Sequence, residues 1–109
     1  MKRDKVLSYI GLAMKSGNVV SGEFAVEKAV KSKKAHVVIV ANDASDNTRK
    51  KFYDMCSFYK VPVVSYAVKE ELGHAIGKDY RAVAAINDTG LAGAVIKNIN
   101  QEVVDIWQR

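Results

Sequence analysis

The chain has 109 residues, 49% of them apolar, and a formal net charge of +5. That is enough for one buried core and too little for two ordinary domains. A single cysteine, Cys56, excludes an internal disulfide, and no apolar run approaches a membrane span or a secretory signal, so a cytoplasmic location is expected.

In chain order, Leu7, Ile10, Gly11 and Met14 follow the i, i+3, i+4, i+7 spacing of a helix with one buried face, ended by the Ser16, Gly17, Asn18 turn. Val19 and Val20 then read as a short strand. Ser21 can cap a second helix, with Glu23 near its positive end, Val26, Ala29 and Val30 facing inward, and Lys28 and Lys31 sharing a solvent face. The run Val37 to Ala41 is β-branched and does not alternate, the pattern of a strand buried on both sides.

Asn42 to Asn47 is a polar loop, and Phe52, Met55, Cys56 and Tyr59 form the stripe of a third helix. Val63 and Val64 follow Pro62 as a strand that belongs where a missing amide does no harm. Leu72, Ala75 and Ile76 mark a fourth helix, Ala82 to Ile86 another buried strand, and Ala92, Val95, Ile96 and Ile99 a fifth helix. The expectation is a three-layer α/β/α sandwich on a four-stranded mixed sheet. Residues 1–99 form a single domain, and residues 100–109 a helical extension with Val103, Val104 and Trp107 at helix spacing and Trp107 docked on the body.

The charge is unevenly placed. Residues 1–34 hold eight basic groups against three acids, and the remaining 75 residues sum to zero. This favours an acidic partner at one end of the molecule, nucleic acid ahead of a membrane surface. The stretch from Lys69 to Arg81 joins a short helix to a basic turn just before a strand, a loop suited to holding Lys69, Lys78 and Arg81. Upstream, Lys28 is placed early in its helix, where the dipole disfavours a cation and another reason for it is needed. Lys31, Lys33 and Lys34 fit an ordinary helix end equally well, and Arg49, Lys50 and Lys51 read as a solvated face.

Chemistry-bearing patterns are sparse. No phosphate-cradling G-x-x-x-x-G-K-[ST] or G-x-G-x-x-G is present. Gly73 and Gly77 read as helix-packing and C-cap positions. His36, His74 and Cys56 lack metal-ligand spacing or an activating neighbour, and Glu70 and Glu71 point about 100° apart on a helix. No catalytic residue, metal or cofactor is expected.

Two segments carry a family resemblance over about residues 5–98. In one, Gly22 is followed by Lys28, Ala29, the basic turn at Lys33 and Lys34, and the strand from His36 to Ala41. In the other, Glu71, Leu72 and Gly73 precede Ala75, Gly77, Lys78, Tyr80 and Arg81. Their order and spacing resemble the kink-turn-binding ribosomal proteins, a family that includes the archaeal "L-seven-Ae" and eukaryotic "L-thirty-e" proteins. The resemblance implies a sandwich that grips a kinked RNA internal loop, with the second helix at sheared G·A pairs and the loop before the last strand over a flipped base. It assigns RNA contacts to Lys28, Lys69 and Arg81 and a close backbone approach to Gly22; with Glu23, Phe24, Lys31 and Lys78 beside them these make up the expected RNA-binding set. The expected protein is a monomeric, ribosomal-type RNA clamp, with ribosome association and ribosomal RNA as target.

One departure stands out: where relatives carry asparagine and glutamate, this chain has Phe24 and Ala25. Neither hydrogen-bonds to a base edge, and Phe24 can either stack on an unpaired base or pack half-buried. The change also admits a different class of function, a protein-interaction adaptor on the same fold.

Overall fold

The computed structural model describes the backbone of residues 4–107 and the side chains of residues 4–99. The elements run α1 (Lys5–Lys15), β1 (Val19–Ser21), α2 (Glu23–Lys31), β2 (Val37–Val40), α3 (Asp46–Tyr59), β3 (Val63–Ser65), α4 (Lys69–Ala75), β4 (Val83–Ile86) and α5 (Thr89–Trp107). The sheet order is β1-β4-β2-β3. β4 is antiparallel to both β1 and β2, whereas β2 and β3 are parallel, so the sheet is mixed.

This order explains the strand sequences. The central strands, β2 and β4, are buried at every residue, and the edge strands β1 and β3 are half-buried throughout. Alternate side chains of β2 enter opposite layers. Val37 and Ile39 pack with Val6 and Ile10 of α1, Leu72 of α4 and Val95 of α5. Val38 and Val40 pack with Val26 and Val30 of α2 and Phe52 and Cys56 of α3. Each fully buried valine, leucine or isoleucine contributes roughly 1.5–3 kcal/mol of transfer free energy to these layers. Pro62 precedes the edge strand β3, where no ladder bond needs its missing amide.

Several local expectations are corrected. The buried face of α1 is Val6, Ile10 and Ala13, while Met14 is exposed and Leu7 only partly covered. Asp4 starts that helix, accepting from the Leu7 amide at 2.9 Å, so its phase is set one residue earlier than the apolar spacing suggested. Ser21 does not cap α2: it is the last residue of β1, and Gly22 is the N-cap. The polar loop after β2 ends sooner than expected, with Ser45 capping α3. The helical extension is no separate element, since α5 runs from Thr89 to Trp107 without a break. The docking of Trp107 falls outside the residues whose side chains are described, as do the basic groups Lys2 and Arg3.

Candidate nucleic-acid interface

β1, β2 and β3 run in one direction and β4 in the other, so the C-terminal ends of the first three share an edge with the start of β4. α2, α3 and α4 all begin at this edge. Each turns the positive end of its dipole towards the same region, an arrangement that suits anions.

The three helix starts are finished differently. At α3 the Ser45 hydroxyl accepts from the Thr48 amide at 3.2 Å. At α4 the Asp43 carboxylate accepts from the Lys69 amide at 2.7 Å, and Glu71 reaches back to the Val68 amide at 3.2 Å. The start of α2 has no side-chain cap. Gly22 sits there at φ 89°, a left-handed conformation costly for any residue with a Cβ, while its amide donates to Val83 O at 3.0 Å. An added Cβ would meet nothing within 4 Å, so the glycine is required by conformation and not by crowding.

Arg81 ties the edge together. Its Nε donates to the Ser21 hydroxyl at 3.1 Å and its amide to Lys69 O at 3.0 Å, joining the end of β1 to the start of α4. The chain between α4 and β4 lies against the helix at Gly73, where a Cβ would come within 2.3 Å of the Tyr80 Cα. Gly77 turns the chain at φ 75°, and the Lys78 amide donates to Gly73 O at 2.8 Å. The packing and capping roles expected for these two glycines are therefore as expected. Gly22, Lys69 and Arg81 are brought to one edge, and Lys78 lies in the turn leading to it.

Two faces of α2 have different partners. Glu23, Glu27 and Lys31, four residues apart, face α3. Lys31 pairs with Glu27 at 2.7 Å, and Lys51 of α3 reaches Glu27 at 3.1 Å and Glu23 at 3.5 Å. Thr48 donates to the other Glu23 oxygen at 2.9 Å. The hydrogen bonds from Lys31 and then Lys51 hold the Glu27 carboxyl below its usual range, and Glu27 in turn raises both lysines. Phe24, Ala25, Lys28 and Ala29 lie on the other face, lining an open groove of about 370 Å³ with Val20, Ser32, Lys34 and Asn87.

Four readings of the basic residues change accordingly. Lys28 is in the last turn of α2, where the dipole favours a cation, because the helix is only 9 residues long. Lys31 does not share its surroundings: it is engaged by Glu27, so it does not join the edge as a free cation. Arg49 is not part of a solvated face, since its guanidinium donates to Ala41 O, Asn42 O and the Ser65 hydroxyl at 3.0, 2.8 and 3.1 Å. Lys51 is part of the α2–α3 contact, and only Lys50, paired with Asp54 on its own helix, fits the solvated description. Among the described residues, Lys28, Lys69, Lys78 and Arg81 form no ion pair.

Phe24 is 82% exposed, which removes the half-buried alternative for its role. Tyr80, 63% exposed, and Val68, 40% exposed, add apolar surface beside Arg81 and Lys69. Val68 was missed in the sequence, and Tyr80 was noted only as part of a motif. An isolated apolar residue beside a loop carries no periodic signal. Cys56 is a core residue whose thiol burial pushes up to about 11. His36 and His74 are exposed, and no group of three metal-ligating side chains occurs among the described residues.

A small basic α/β/α sandwich whose uncapped helix, free cations and exposed aromatics gather at one sheet edge is a polyanion-binding class of protein. The profile of the Ribosomal protein L7Ae/L30e/S12e/Gadd45 family matches residues 4–96. The chain belongs to that family. It is 42% identical over 87 residues to the RNA-binding protein YlxQ of Bacillus subtilis (strain 168), covering 80% of this chain and 87% of that one. A protein of the same name from Enterococcus faecium is 42% identical over 90 residues, covering 83% and 86%. A solved Bacillus halodurans protein of unknown function superposes with TM-score 0.87 at 36% identity, covering 90% of this chain and 99% of that one. The Giardia lamblia 15.5kD RNA binding protein shares the fold, with TM-score 0.75 at 22% identity over 93% of this chain and 90% of its own.

Proposed function

We propose that this chain is a single-domain, non-enzymatic RNA-binding protein of ribosomal type that clamps a structured RNA of the kink-turn class. The observation that carries this is the meeting of the uncapped α2 start, Lys69, Arg81 and the exposed rings of Phe24 and Tyr80 at one edge of the sheet. Phosphates meet the helix end and the cations, and unpaired bases meet the rings. The family membership and the RNA-binding relatives support the same partner. Glu23 stands at the start of α2, held by Thr48 and Lys51, as a polar neighbour of the RNA, and Gly22 lets the backbone approach it. The protein acts as a monomer in the cytoplasm, with ribosomal RNA as its target.

The test is a salt series of affinity for a kink-turn RNA and for a control with its sheared G·A pairs replaced. Lys69 and Arg81 at the edge, Lys78 in the turn leading to it and Lys28 further along α2 should together give a log–log salt slope on the order of −2 to −4. A flat response counts against a phosphate-gripping edge, and equal binding of both RNAs removes the kink-turn. Crosslinking in cells with sequencing of the bound RNA tests the ribosomal target. The adaptor reading has an observation of its own, the exposure of Phe24 together with Phe58, 79% exposed on α3. Absence of RNA binding by the folded protein would favour it.

A further inference from the structure

We propose that the groove between α2 and the edge strand β1 is a subsite for an unpaired adenine of the bound RNA, stacked on Phe24 and read by the amide of Asn87. This rests on the RNA-binding reading and deepens it, naming which base the Phe24 ring takes and which residue selects it.

The groove, about 370 Å³, has room for one nucleotide. Val20, Ala25 and Ala29 give it an apolar floor, and Phe24 stands in solvent beside them. An aromatic ring left in water in the first turn of a helix covers no core, but it offers a face on which a base can stack. Lys28 and Lys34 stand along the same groove, and among the described residues neither is paired with a carboxylate, in contrast to Lys31, Lys50 and Lys51. They complement the phosphates flanking an inserted base.

Asn87 supplies the choice of base. Its backbone is fixed by a bond from its amide to Asn18 O at 2.8 Å, yet its side-chain Oδ1 is buried and accepts from no described residue. A buried acceptor without a donor is unfavourable, and it is relieved when a donor arrives. The terminal torsion of asparagine is broad, so the amide can swing its oxygen towards a donor entering the groove. The adjacent acceptor and donor of a carboxamide match N6 and N7 of adenine. An acidic peptide would satisfy the lysines and could bond the amide through its backbone, but its carboxylate side chains offer no flat face for the ring, which favours the nucleotide.

The test measures binding of the full chain to the kink-turn RNA carrying a three-nucleotide single-stranded tail of adenosine, uridine or purine riboside, the last lacking the 6-amino group. Adenosine should bind about tenfold more tightly than the other two. Asn87→Ala should abolish that preference while leaving affinity for the uridine RNA and the melting temperature unchanged or higher, because the orphaned acceptor is gone. Phe24→Ala should weaken all three. Free adenosine monophosphate should compete only weakly; saturable competition at micromolar concentration would overturn RNA as the source of the base. Equal binding of the three tails, or a preference that Asn87→Ala leaves intact, overturns the subsite alone. Failure of the wild type to bind any of these RNAs overturns the underlying reading, and the subsite with it.

Discussion

The connection after β2 and the connection after β1 end at the same edge of the sheet, yet they are built in opposite ways. Between Asn42 and Ser45 almost every polar group is committed. Arg49 donates to two carbonyls there, Ser65 donates to Asn42 Oδ1 at 2.8 Å, and Asp43 and Ser45 each cap a helix. At Gly22 the helix start is left without a side-chain cap, and the first exposed residue after Glu23 is an aromatic ring. A helix end satisfied by its own chain has little left to offer a ligand, whereas an uncapped end keeps donors and dipole for one. The first connection holds the edge in shape and the second is available to bind.

The sharpest way to break the holding half is Gly73→Ala, which places a Cβ 2.3 Å from the Tyr80 Cα and forces backbone to move. Urea unfolding should show a loss of about 3 kcal/mol. Unchanged stability would mean that the α4–β4 turn is not pressed against its helix. Arg49→Ala should come next, costing about 2 kcal/mol by stripping charged donors from two carbonyls and the Ser65 hydroxyl. RNA affinity of the protein that stays folded should change less than twofold.

On the binding half the order reverses. Lys28→Ala should leave the unfolding midpoint in place and weaken RNA binding by roughly 1 to 2 kcal/mol, seen as a shift in the anisotropy titration. Its control is Lys50→Ala, which removes only an exposed pair on α3 and should alter neither measurement. Lys51 is unsuitable as that control because it touches both glutamates of α2. Equal losses from Lys28 and Lys50 would indicate diffuse attraction in place of a site.

The smallest effect is a pH dependence far from the edge. Burial raises the Cys56 thiol from 9.0 to about 11, so the folded state disfavours the thiolate. Its contribution to stability is fully present below pH 9 and declines as the pH rises towards 11. At pH 8 a thiol reagent should react with Cys56 only at the rate of unfolding; fast labelling of the native protein would place the sulfur outside the core.

Periodicity and β-branching alone were sufficient for the order of helices and strands, the two-sided burial of β2 and β4, and the packing roles of Gly73 and Gly77. These depend on local repeats and on backbone conformation, which neighbouring residues determine. The family resemblance added the edge at Gly22, Lys69 and Arg81. The tertiary structure decided which cations are free. Lys31 is claimed by Glu27 one turn away on its own helix, but Arg49 and Lys51 look like Lys28 in sequence and are claimed by the carbonyls of Ala41 and Asn42 and by the two glutamates of α2. The phase of α1, the cap of α2 and the exposure of Phe24 were likewise settled by packing. A side chain's charge is written in the sequence, but whether the charge of Lys51 is spent depends on α2, a separate segment of the chain whose Glu23 and Glu27 the fold brings to 3.5 and 3.1 Å of it.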